Sequence, residues 1–108
     1  MTERSKVETY IGFAIKKRDL ITGSDSVTRL KKAFLIIICA CAGKNAKSDA
    51  QKISNKLKCP LVESKIPLED LTGKLNCKIA AVTDRNLAAA ILNNLNENFS
   101  VISGGNVR

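Results

Sequence analysis

The sequence predicts an α/β fold, a three-layer α/β/α sandwich around a central mixed, largely parallel sheet of about four strands. Two observations carry this expectation. Helix-period apolar patterns alternate with short apolar runs, and such alternation builds a sheet covered by helices on both faces. One run, Ala33 to Cys39, is apolar throughout and rich in β-branched residues, as a strand buried on both faces must be. The chain has 108 residues, 44% of them hydrophobic, which suits one domain with a real core. That domain is expected over residues 1–102, with 103–108 as a frayed tail.

The elements follow in order. Val7, Ile11, Ala14 and Ile15 recur at helical spacing and predict a helix over about residues 3–17. Asp19 to Thr22 reads as a brief strand. Gly23, Ser24 and Asp25 offer capping chemistry before a helix carrying Val27 and Leu30. The apolar run follows, broken at Ala42 and Gly43. Ala46, Ala50, Ile53 and Leu57 mark a helix over about 45–57, with lysines on its outer face. Pro60 to Glu63 is a short core strand. Pro67 suits the first turn of a helix reaching about Leu75, where Glu69 and Asp70 favour the dipole. Ile79 to Thr83 is the next core strand. Asp84 caps a last helix through Leu87, Ile91 and Leu95, and Val101 and Ile102 add an edge strand or dock on the body.

Composition excludes much enzymology. Histidine is absent, which removes Ser-His-Asp triads, histidine metal sites and histidine bases. No run of about 18 apolar residues is present, so no membrane span is expected. Residues Met1 to Ser5 lack the basic-then-apolar pattern of a signal peptide, and a cytoplasmic protein is expected. The cysteines Cys39, Cys41, Cys59 and Cys77 form no C-x-x-C pair and read as reduced, buried thiols. In a parallel sheet, Cys39 and Cys41 end one strand while Cys59 and Cys77 precede others, so the thiols would sit on opposite edges. No metal and no cofactor are expected. Gly43 and Lys44 follow a strand, but a phosphate loop needs G-x-x-x-x-G-K-[ST], and Ile38 and Asn45 depart from it.

Charge is the positive signal. Net charge is +8, and residues 1–58 hold 13 of the 18 basic side chains against 5 of the 10 acidic ones. A polyanion-facing surface in the first half is the implication. The segment from Gly23 to Lys32 combines a glycine turn, small hydroxyls and basic residues. A helix start exposes N–H groups that suit phosphates and base acceptors. On helical spacing Arg29 and Lys32 share one side. Lys16, Lys17, Arg18 and Lys31 could add phosphate contacts. With 4% aromatics, a single-strand stacking platform is not expected.

Three segments carry a resemblance over about residues 6–98. They are Gly23 to Arg29, the strand Phe34–Ala40, and Ile79 to Asp84 continuing through Asn86, Leu87 and Ala88. The chain resembles the kink-turn RNA-binding ribosomal protein family (the L seven Ae / L thirty e superfamily), in particular its small stand-alone bacterial members. The resemblance implies an α/β/α sandwich and a non-catalytic RNA-binding protein for structured, kink-turn-like or ribosomal RNA, with ribosome association as one setting and a monomer as its state. By that likeness Gly23 and Ser24 keep the family's glycine and hydroxyl. Asp25 stands for asparagine, Ser26 for glutamate and Arg29 for lysine. The loop before the last core strand, here Asn76, Cys77, Lys78 and then Ile79, is where the family packs on a flipped-out nucleotide. Ionised Asp25 only accepts hydrogen bonds, where asparagine also donates. Those replacements keep a second expectation open, a protein-interaction module of the same fold without kink-turn recognition.

Overall fold

A computed structural model describes residues 6–73 and 77–103. Its described residues form ten elements: α1 (Lys6–Lys16), β1 (Leu20–Thr22), α2 (Ser24–Thr28), β2 (Leu35–Cys39), α3 (Lys44–Leu57), β3 (Leu61–Ser64), α4 (Leu68–Thr72), β4 (Ile79–Val82), α5 (Arg85–Asn93) and β5 (Phe99–Ser103). The fold is α/β, with strand order β1-β4-β2-β3-β5. All five residues of β2 and all four of β4 are buried, so both sheet faces are covered. α1 packs with α4 and α5, and α2 packs with α3.

Two sheet expectations need correction. The sheet has five strands rather than about four, because Phe99–Ser103 pairs antiparallel with β3. It is mixed but not largely parallel. β2 and β3 run parallel, while β1–β4, β2–β4 and β3–β5 are antiparallel. Connection length explains the difference. The 14 residues of α3 span about 21 Å and return the chain to the edge where β2 began. The 5 residues of α4 span about 7.5 Å, less than the roughly 13 Å of a four-residue strand. The chain therefore enters β4 from the edge where β3 ended.

Local chemistry sets the helix ends. Past α1, Asp19 N–H donates to Ala14 carbonyl at 2.8 Å and Arg18 N–H to Ile15 carbonyl at 3.1 Å. Arg18 lies at φ 63°, completing a Schellman turn. α2 stops at Thr28, short of the expected Leu30. Ser, Asp and Thr compete with helical backbone bonds, and the Thr28 hydroxyl donates back to the Ser24 carbonyl at 2.6 Å. α4 ends at Thr72, with Gly73 left-handed at φ 74°. Asp84 caps α5 by accepting from Asn86 N–H at 2.7 Å and Leu87 N–H at 3.1 Å. Leu95 lies beyond α5. Ser103 belongs to β5 rather than to a frayed tail. Residues 3–5, Leu75, Asn76 and 104–108, on which sequence expectations also fell, lie outside the described residues.

The core joins Val7, Ile11 and Ala14 of α1 to the sheet and to Ile53, Leu68 and Ile91. The buried hydroxyls are satisfied: Ser54 donates to Cys59 carbonyl at 2.6 Å and Ser64 to Ile66 carbonyl at 2.7 Å. In β5 Phe99 is buried, at 2% exposure, while Val101 and Ile102 are each 48% exposed.

Candidate nucleic-acid interface

The antiparallel setting of β4 decides what meets at one edge of the sheet. Gly23 N–H donates to the Ile79 carbonyl at 3.1 Å, and Cys39 N–H donates to the Lys78 carbonyl at 2.9 Å. The end of β1, the start of β4 and the end of β2 are thus neighbours. Two segments singled out in the sequence, the Gly23–Ser26 turn and the Cys77–Ile79 loop, converge there.

Gly23 has φ 93° and ψ 140°, a conformation suited to glycine. A Cβ built on it would meet nothing within 4 Å. The demand for glycine here is therefore one of backbone conformation, and the space before it is open. Ser24, Asp25 and Ser26 follow, all exposed, while Val27 is buried and pins the helix to the body. The turn can present one backbone edge, two hydroxyls and one carboxylate to a ligand.

Other expected contacts are placed differently. Cys77 and Ile79 are 3% and 2% exposed, so their side chains belong to the core and do not supply an apolar surface for a nucleotide. Ile79 opens β4, which is buried on both faces, and Cys77 just before it belongs to the same core cluster. Arg29 is exposed, but it follows the last residue of α2, and Lys31 and Lys32 lie in the link to β2. The shared helix side expected for Arg29 and Lys32 does not exist, because α2 ends first. Lys32 Nζ instead lies 5.3 Å from the Phe34 ring centroid.

Lys16 ends α1, and Lys17 and Arg18 form the turn after it, at the opposite end of β1 from Gly23. Arg18 nonetheless lines a cavity of about 300 Å³ with Leu20, Ile21 and Thr22, the last of which directly precedes Gly23. Lys17 is engaged, with Nζ 2.5 Å from Asp84 Oδ2 and 3.5 Å from Asp19 Oδ2. The Asp84 hydrogen bond raises the Lys17 pKa, and the Lys17 bond, with the cap N–H groups, lowers that of Asp84.

The structure adds basic residues that sequence reading left as a solvated face. A groove of about 280 Å³ between α2 and α3 is lined by Thr28, Asp49, Lys52, Ile53 and Lys56. Lys44 opens α3 just past Gly43, on the same sheet edge as the Gly23 turn. Helical spacing alone places Lys52 and Lys56 together; only packing shows that α2 borders them.

The cysteine expectation also changes. Cys39 and Cys41 are paired in a disulfide across Ala40, with Cα atoms 5.2 Å apart. Antiparallel β4 brings Cys77 to the edge where these two sit, and Cys59 is at the other. Cys59 and Cys77 are buried free thiols, and burial pushes the Cys59 thiol up to about 11. Among the described residues no group of three metal-binding side chains converges, and no helix is long and apolar enough to cross a membrane.

No protein-family model matches the sequence, and no curated protein matches it. Among solved structures it is similar to a protein of unknown function from Bacillus halodurans C, with 25% identity and a TM-score of 0.70. The match covers 82% of this chain and 98% of that one, and it is a likeness of fold.

Proposed function

We propose that the chain is a non-catalytic, cytoplasmic RNA-binding protein for structured RNA, of the kink-turn or ribosomal kind. The observation that carries the reading is the Gly23 turn. It is held to the sheet edge by the Ile79 carbonyl, has open space where a side chain would stand, and leads into exposed Ser24, Asp25 and Ser26. An opened RNA groove needs that close backbone approach and those short polar groups. Lys44 adds positive charge at the same sheet edge, and Lys52 and Lys56 line the groove beside Thr28 at the far end of α2. The sequence resemblance to the kink-turn-binding family supports the same assignment, and RNA is the partner it implies. Lys17, committed to Asp84, contributes little to phosphate binding.

The test is fluorescence anisotropy with a kink-turn RNA and with the same RNA lacking its tandem G·A pairs, at two salt concentrations. Tight binding to the first, falling steeply with salt, is the expected result. Gly23→Trp should abolish it while the fold persists by circular dichroism. Equal binding to both RNAs would leave only a generic basic surface.

A second reading is favoured by two specific observations. Asp25 can only accept hydrogen bonds, and Cys77 and Ile79 are buried. A protein-interaction module of the same fold fits both facts. Failure to bind either RNA would select it.

A further inference from the structure

The Cys39–Cys41 pair lies outside the RNA reading, and its surroundings are asymmetric. Cys39 is 1% exposed and Cys41 is exposed. Each sulfur has its own donor: Cys41 N–H points at Cys39 Sγ at 3.3 Å, and Lys78 Nζ lies 3.5 Å from Cys41 Sγ. Lys78 is held there from the backbone, since its carbonyl accepts from Cys39 N–H at 2.9 Å. The bond spans Ala40 alone, and closing so short a loop removes little freedom from the unfolded chain. It is a poor staple for the fold.

We propose that Cys39 and Cys41 form a reversible thiol–disulfide exchange site, attacked by small thiols at Cys41. The reductant is a monothiol of the glutathione class. Its thiolate attacks Cys41 Sγ, the Cys39–Cys41 bond breaks, and the bonding pair leaves on Cys39 Sγ, beside the Cys41 N–H. A second thiolate attacks the small-molecule sulfur of the mixed disulfide. The products are the oxidised small-molecule disulfide and the Cys41 thiolate, beside Lys78. Two electrons enter the protein, and each thiolate takes a proton from water according to its pKa. The reverse sequence, with a small disulfide as oxidant, restores the bond. A nearby ammonium favours the thiolate, and access fixes which sulfur is attacked. Cys59 and Cys77, buried, take no part.

The test uses the full chain equilibrated in mixtures of reduced and oxidised glutathione, quenched by alkylation and read by intact mass and peptide mapping. Cys39 and Cys41 should gain and lose two alkyl groups together, with Cys59 and Cys77 unchanged. Cys39→Ser should capture one glutathione at Cys41. In the reduced protein, Lys78→Met should move the pH profile of Cys41 alkylation upward and slow the reaction at neutral pH. Thiols that stay free in oxidised glutathione alone would overturn the proposal, as would capture only after unfolding or a pH profile unmoved by Lys78→Met. If Cys39→Ser does not fold, the wild-type equilibrium and the Lys78→Met profile decide it.

Discussion

Gly23 and Gly43 both stand at the N-cap of a helix, and a Cβ on either would meet nothing within 4 Å. They differ in backbone conformation: φ is 93° at Gly23 and −71° at Gly43. The same substitution should therefore act with opposite sign. Gly23→Ser must hold an L side chain in a region that costs about 1–3 kcal/mol. The reduced freedom of the unfolded chain returns about 0.4–1 kcal/mol, leaving a net loss of about 1–2 kcal/mol. Gly43→Ser meets no strain, restricts the unfolded chain, and adds a hydroxyl able to accept from the first turn of α3. A gain of about 0.5–1 kcal/mol is expected. Urea unfolding followed by far-ultraviolet circular dichroism separates the two, as midpoint shifts in opposite directions at unchanged slope. At about 4–8 °C per kcal/mol for a domain of this size, melting temperatures should diverge by roughly 6–24 °C. Equal signs, or a difference below about 0.5 kcal/mol, would refute the claim that backbone φ sets the sign.

Three further outcomes are expected. Ile37→Ala, at 1% exposure between Val62 and Ala80, should cost about 2–5 kcal/mol in urea unfolding, because a sheet fixed by its register closes poorly over the cavity. Asp84 has its pKa lowered by Lys17 and by the Leu87 and Asn86 N–H groups. Its stabilisation should be present above the ordinary carboxylate range and lost as pH falls through its depressed folded value. Asp84→Asn should flatten the acid limb of stability against pH, and an unchanged limb would contradict the assignment. Cys59, raised to about 11 by burial, should resist alkylation at pH about 8 in the folded chain and react once urea unfolds it.

The residues showed much of this fold and less of the site. The apolar run into Cys39, the spacing of Ala50 and Ile53, and the cap at Asp84 each name an element, because burial and capping are local demands. Strand direction is not local. Ile79 to Val82 is buried on both faces whichever way it runs, so the sequence carried no mark of the antiparallel β4 that unites Gly23, Lys78 and Cys41. The same blindness hid the disulfide neighbourhood and the border between α2 and Lys52. β5 was half legible: Val101 and Ile102 marked a strand, but the residue it buries is Phe99. Of the basic residues near Gly23 in sequence, Lys17 is taken by Asp84, whereas Arg18 lines a cavity with Thr22 beside the turn, and neither contact has a mark in the sequence.

The position of β4 between β1 and β2 also orders assembly in time. Leu20 pairs with Val82, and Leu35 pairs with the same residue from the other side. A chain growing from its N-terminus holds β1 and β2 with no partner between them until residues 79–82 emerge. The loop that must close is long, and such non-local pairing slows folding. Until then the apolar β2 has only β3 beside it, and its other edge is open. A nascent chain halted before Ile79 should therefore be the form most prone to aggregate, and release of β4 the step that commits the sheet.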